Sequence, residues 1–212
     1  KPPVEWAEEK SVKWFQPVHG KAWSSPIVSG GKIWLTTATE KGTELFVVCL
    51  DAATGKVLVD QKLYDIDRPQ FIHAFNSGAS PSPVASGDRV WVTFGSPGTA
   101  CLDASTGKVL WERRDLECNH YRGAGSSPIL HNGRLYLNFD GSDRQYIIAL
   151  DATTGRTVWK VDRSIDYRDL GPDGKPESEG DWRKAFATCH VAEVGGVTQL
   201  LSQGAKAFYG YD

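Results

Sequence analysis

The chain has 212 residues, of which 40% are hydrophobic and 24% charged, and a net charge of −2. That is enough apolar material for a packed core, and it excludes a disordered chain. Lysine and arginine are scattered rather than clustered, which excludes a nucleic-acid footprint, and no apolar run approaches the ~18 residues of a membrane-spanning helix. No secretory leader is visible; the chain starts at Lys1 without Met, as it would after removal of a leader or tag.

Eight Trp, 22 Gly and 11 Pro favour short strands joined by turns. The first predicted strand is SVKWFQPVHG, Ser11 to Gly20, which has no partner strands upstream of it. From Trp23 the chain reads WSSPIVSGGKIWLTT, a short apolar run, a glycine turn and an alternating run. LFVVCL then leads from Leu45 into LDAATGKVLV, which begins at Leu50. The same grammar returns as SPSPVASGDRVWVTF from Ser80 with LDASTGKVLW from Leu102. It returns again as GSSPILHNGRLYLNF from Gly125 with LDATTGRTVW from Leu150, and Tyr211-Asp212 reads as the opening of a fourth copy.

Four strands recurring at about 50 residues are the signature of a propeller blade. The expected fold is therefore all-β, a propeller of four-stranded antiparallel blades with about four blades present. Blade 1 is expected over 23–63, blade 2 over 80–115, blade 3 over 125–163 and an incomplete blade 4 over 186–212. Residues 1–22 are expected to supply a strand that completes the last blade of a closed ring, which hides sheet edges. At about 50 residues per blade, a ring of seven or eight blades needs roughly 400 residues, so the chain is read as about half of one, with a small closed ring of four blades as the alternative.

The Asp-x-x-Thr-Gly turn has a physical basis. The Asp carboxylate and Thr hydroxyl accept and donate locally, and Gly adopts positive φ at little cost. Trp111 and Trp159 stand four residues after that Gly, ready to lie across the next blade; Val59 stands there in the first copy, where the contact should be weaker. Cys49 and Cys101 occupy equivalent strand positions and, with Cys118 and Cys189, show no metal-type spacing. They read as small apolar strand residues, with their disulfide state left open.

Two connections are long, Tyr64 to Ser80 and Ser164 to Phe186. The second carries Asp166, Asp169, Asp173, Glu177, Glu179 and Asp181; their spacing does not match a calcium loop and reads as a mobile, solvated loop. Residues preceding each blade's first strand should gather at one mouth of the central channel. These are His19, Trp23, His73, Asn76, His120, Tyr121, Arg122, Lys184 and His190, and they form the candidate ligand-binding set. His190 aligns with either Ser25 or Ile27, and at the latter place it would need a partner. His131 belongs to a hairpin turn and is read as exposed.

The repeats resemble the pyrroloquinoline-quinone (PQQ) repeat, with its Ala-x-Asp-x-x-Thr-Gly-x-x-x-Trp tryptophan-docking motif, over nearly the whole chain. That family includes quinoprotein alcohol dehydrogenases, the outer-membrane assembly lipoprotein BamB and exported bacterial proteins; VEWAEEKSVKWFQPVHGKAWSSPIV and VTFGSPGTACLD are most similar to the exported, planctomycete-type members. The resemblance implies a periplasmic or extracellular location with the leader removed. It also implies a non-catalytic scaffold that binds a protein or polymer through loops at the channel mouth, and needs further blades or another chain to close the ring. The alternatives are a PQQ-dependent alcohol or sugar dehydrogenase and a carbohydrate-binding propeller, for which Trp23, Tyr121 and Trp182 are candidate stacking residues. No catalytic or metal-binding residue is assigned. PQQ with calcium is not supported by this half, because the adjacent cysteines that resemblance leads one to expect are absent.

Overall fold

The computed structural model describes residues 4, 5, 7 and 9–212. Its strands fall into separate antiparallel sheets, each in chain order. Sheet one is β1 (Ile27–Ser29), β2 (Lys32–Ala38), β3 (Glu44–Asp51) and β4 (Val57–Asp65). Sheet two is β5 (Val84–Ser86), β6 (Arg89–Thr93), β7 (Thr99–Asp103) and β8 (Val109–Arg113). Sheet three is β9 (Ile129–His131), β10 (Arg134–Asp140), β11 (Gln145–Asp151) and β12 (Thr157–Asp162). Sheet four has three strands, β13 (His190–Val194), β14 (Val197–Gly204) and β15 (Ala207–Tyr211). The only helical piece among the described residues is a 3₁₀ segment, Glu177–Arg183. This is an all-β propeller with about four blades.

The core lies in layers between successive sheets. Trp34, Val47 and Cys49 of sheet one pack with Val90, Val92, Ala100 and Leu102 of sheet two. Trp91 and Cys101 on the other face of sheet two pack with Leu135, Leu137, Ile148 and Leu150 of sheet three. Tyr136, Ile147 and Ala149 then meet Leu200 of sheet four. Each inner sheet is apolar on both faces, so its central strands read as near-continuous apolar runs, whereas β4, β8 and β12 alternate and face outward. All four cysteines are free and buried, and burial pushes the Cys49 and Cys101 thiols up to about 11.

The repeated turn is the same device three times. Asp51 Oδ1 accepts the backbone N–H groups of Ala53 (3.1 Å) and Thr54 (2.8 Å) and the Thr54 hydroxyl (2.7 Å). Asp103 does so with Ser105 and Thr106, and Asp151 with Thr153 and Thr154. The Thr or Ser hydroxyl bonds, followed by the backbone bonds, hold all three carboxyls below their usual range. A depressed folded-state pKa stabilises the fold above the ordinary carboxylate pKa of about 4 and is lost as pH falls below it. The melting temperature should therefore fall on acidification below that point. Asp103→Asn should flatten this pH dependence in a thermal-melt series; an unchanged slope would remove the turn carboxylates as its cause.

A side chain from a neighbouring segment lies over the glycine of each turn. Trp14 Nε1 donates to Ala52 O (3.2 Å) in the first turn. Trp111 Nε1 and Trp91 Nε1 both donate to Ala152 O in the third (3.0 and 2.9 Å). A Cβ on Gly155, whose φ is +72°, would fall 2.7 Å from Trp111 Cε3, so neither the conformation nor the space admits a side chain. In the second turn Val59 sits over Gly107, and Lys32 Nζ bonds Ala104 O in place of an indole N–H. The segment Ser11–Gly20, expected as a strand, has no ladder along it; Trp14 and Val18 pack on Leu35, Val48 and Leu50, covering the open face of sheet one.

The inner strands are tied by a relay absent from the sequence expectations. Ser25 N donates to Ser82 Oγ (2.8 Å), Ser82 N to Ser127 Oγ (2.9 Å) and Ser127 N to Thr188 Oγ1 (2.9 Å). The repeated Ser-Pro is its sequence trace: the hydroxyl accepts from the preceding blade, and the proline, with no N–H, leaves no further donor that needs an acceptor. The relay also fixes His190. Ile27 pairs with Trp34, which pairs with Cys49, two residues before Asp51; His190 pairs with Leu201, which pairs with Gly210, two before Asp212. His190 therefore takes Ile27's place, but it is exposed there and needs no buried partner.

Candidate binding surface

Three connections between blades converge on one surface, those following β4, β8 and β12. The first places Gln70 against the second: Gln70 Oε1 accepts His120 N–H (2.9 Å) and its Nε2 donates to Cys118 O (2.9 Å). Asn76 Nδ2 donates to Arg122 O (2.7 Å), which His73 N–H also reaches. Ser96, in the β6–β7 turn, accepts Cys118 N–H at Oγ (2.9 Å) and donates its own N–H to His120 Nε2 (3.0 Å). His120 is thus an acceptor, and burial pushes its pKa down to about 4, so it is neutral near pH 7 and positions the loop.

The third connection, expected as a mobile, solvated loop, is instead tied down by ion pairs. Asp169 is buried and takes two hydrogen bonds from Arg183 (2.8 and 2.7 Å), and Lys206 Nζ bonds Tyr167 O (2.7 Å). Its acidic residues are spent separately. Asp166 accepts Arg168 N–H and Asp173 accepts Lys175 N–H, while Asp181 holds Arg122 Nη2 (2.9 Å) and Lys184 Nζ. Ser178, Glu179 and Gly180 are all left-handed (φ 52°, 57° and 77°), as is Tyr121 (φ 59°). Consecutive non-glycine residues in this region store strain, and such strain gathers at functional sites. Glu179 beside Tyr121 pushes the phenol's pKa up.

Above this framework runs an aromatic ridge. Phe75 lies against His73 at 3.9 Å with the rings tilted by 38°, Phe71 meets His73 at 6.2 Å and Tyr121 at 5.9 Å, and Lys184 Nζ lies over the rings of Tyr121 (4.5 Å) and Phe186 (5.5 Å). Phe71 and Phe75 are 58% and 61% exposed, so the ridge is open to solvent. Beneath it a cavity of about 30 Å³, lined by Leu45, Ile66, Pro69, Phe94 and His120, has room for a single water.

Of the nine candidate residues, His73, Asn76, His120, Tyr121, Arg122 and Lys184 come together here. His19 does not: its Nε2 bonds Asp60 Oδ1 (2.8 Å) and its ring meets Phe46, on the outer strands of sheet one. The cause is the path of Ser11–Gly20 over that sheet. Trp23 is half exposed and joined to the first loop through its backbone bond to Ala79 O, and His190 lies on β13. Phe71, Phe75 and Gln70 were missed because isolated aromatics and a lone Gln in a long loop carry no periodic signal; the run of rings in Phe71, His73 and Phe75 was the available clue.

Comparison with known proteins places this arrangement. A family model described as outer membrane protein assembly factor BamB matches residues 42–182. The alcohol dehydrogenase (quinone) dehydrogenase subunit of Gluconobacter oxydans is 28% identical over 178 residues, 77% of this chain and 22% of the relative. Quinohemoprotein alcohol dehydrogenase ADH IIB of Pseudomonas putida is 25% identical over 171 residues, 78% of this chain and 23% of the relative. The crystal structure of BamB from Moraxella catarrhalis superposes with a TM-score of 0.65 at 20% identity, over 96% of this chain and 53% of that one. The chain thus spans less than a quarter of these two dehydrogenases and about half of that BamB. With its turns, its layered sheets and two-thirds of its length matched, the chain belongs to the PQQ-repeat β-propeller family described by BamB.

Proposed function

We propose that the protein is a non-catalytic propeller scaffold, exported to the periplasm or cell exterior, that docks a protein partner through the ridge. The observation that carries this is the exposed row of rings drawn from three separate loops, with Tyr121 and Arg122 at its centre and a buried polar framework beneath. Aromatic residues and arginine dominate binding hot spots, and rigidly held loops on a ring suit that task. The BamB relationship points the same way, since that protein is named as an assembly factor.

Nothing in this stretch, which spans less than a quarter of the two dehydrogenases, favours a PQQ–calcium centre. The four cysteines are separated in sequence and buried. Among the described residues no three His, Cys, Asp or Glu side chains are grouped to hold a metal ion.

The test is site-specific photo-crosslinking in the native host envelope. A photoreactive phenylalanine at position 71 or 75 should give one discrete protein adduct, and the same probe at Val161 on β12 should not. Absence of an adduct at the ridge, or equal labelling at Val161, would overturn the reading.

A further inference from the structure

His120 joins the first two inter-blade connections to the β6–β7 turn, and one of its bonds there depends on its charge. The imidazole Nε2 accepts the Ser96 N–H (3.0 Å) and lies against Gly95, where an added Cβ would overlap it. The ring faces Phe139 at 5.9 Å. The His120 backbone N–H donates to Gln70 Oε1 (2.9 Å), and Gln70 Nε2 donates to Cys118 O (2.9 Å). From the other side, Ser96 Oγ accepts the Cys118 N–H (2.9 Å) and donates to Cys118 O. A single acceptor nitrogen thus stands among the bonds that hold three chain segments together. A proton on Nε2 turns that acceptor into a donor. It would then aim N–H at N–H across 3.0 Å, on a ring whose charge is held away from water.

The surrounding charges do not offset this. Asp143, in the β10–β11 turn, attracts a protonated ring, but its Oδ1 already accepts the N–H groups of Asn119 (2.6 Å) and Arg144 (2.8 Å). Asp140, at the end of β10, is paired with Arg163. Arg122 and Lys184, on the second and third connections, both face Asp181. Gln70 and Ser96 bring no charge, and burial keeps the Cys118 thiol protonated. We propose that His120 is an acid-sensitive clasp: its protonation releases the β6–β7 turn and lets the connections carrying Gln70 and Cys118 part, separating Phe71 and Phe75 from Tyr121. The clasp stands whatever the ridge binds. The direction of the pH dependence follows from linkage. Burial holds the closed form's pKa near 4 against 6.5 for a free imidazole, so the open form binds more protons between those values. The closed form therefore loses stability as pH falls from about 6.5 to about 4, and no further below that.

Cys118 is the built-in reporter, since it lies inside the clasp, is 2% exposed and has its Sγ covered by Gly141. The purified protein is treated with 4,4′-dithiodipyridine, which reacts with thiols at neutral and acid pH. Modification of each cysteine is read by peptide mass spectrometry and normalised to a short thiol peptide at the same pH. Cys118 labelling should rise by up to about tenfold per pH unit between about pH 6.5 and about pH 4. Cys49 and Cys101, buried between sheets, should stay slow over the same range, because only the clasp opens. In His120→Gln, whose amide oxygen still offers an acceptor but takes no proton, the rise at Cys118 should vanish. Far-UV circular dichroism and melting curves at pH 7 show that the variant is folded, and His120→Asn replaces it if it is not. Cys118 labelling that stays flat with pH, the same rise in the His120 variant, or a rise shared equally by Cys49 and Cys101 would overturn the proposal.

Discussion

Arg163→Ala is expected to lower the unfolding free energy by about 3–5 kcal/mol, read by chemical denaturation. Arg163 and Asp140 are 0% and 1% exposed at their side chains and share two hydrogen bonds of 2.8 Å. The guanidinium also reaches Ser202 Oγ (2.9 Å) and Tyr211 OH (3.0 Å), and lies over the Tyr209 ring at 4.7 Å. Asp140 is on β10 and Ser202 and Tyr211 are on β14 and β15, so this one side chain ties sheet three to sheet four. Burial pushes the Asp140 carboxyl above the usual range even with the Arg163 hydrogen bonds. The pair is thus expensive to desolvate, and removing one partner leaves a buried charge with nothing to face. The double variant Arg163→Met, Asp140→Leu should be much less destabilised than Arg163→Ala. Equal losses in the two proteins would assign the effect to packing instead.

Trp111→Ala should cost about 3 kcal/mol, at the lower end for a large aromatic because Trp111 is only partly buried. Val59→Ala, at the equivalent place, should cost about 1 kcal/mol, since a smaller, partly buried side chain is lost and no hydrogen bond goes with it. The difference follows from the two seats. Trp111 covers Gly155 and bonds Ala152 O, whereas Val59 covers Gly107 and leaves the carbonyl of Ala104 to Lys32. Lys32→Met should therefore destabilise the Val59 variant further, because it leaves Ala104 O without its donor. Thermal melts of the three variants check this; equal shifts for Trp111→Ala and Val59→Ala would show that the two seats are not different.

The fold was legible because it is periodic. Asp-x-x-Thr-Gly states its own hydrogen bonds, and three copies about 50 residues apart leave little choice but blades. The repeated Ser-Pro was equally plain, yet its meaning lay in neighbouring blades and only coordinates join Ser25 to Ser82. The surface was half legible. Counting along each blade placed His73, His120 and Lys184 at the junctions, and they do meet. His19 obeyed the same count and lies elsewhere, because its segment crosses sheet one instead of following a repeat. Asp140 and Arg163 carry no repeat signal that would mark them; their burial depends on a loop of irregular course folding over them. The acidic loop shows the same limit, since Asp169 and Asp181 were visible as charges but not as the partners of Arg183 and Arg122.

The central claim, a binding scaffold rather than a quinone enzyme, is tested most directly by titrating the purified protein with PQQ and calcium while following dye reduction with primary alcohols. The scaffold proposal predicts no saturable PQQ binding and no alcohol-dependent dye reduction. Saturable, calcium-dependent binding of PQQ together with alcohol-dependent dye reduction would contradict it.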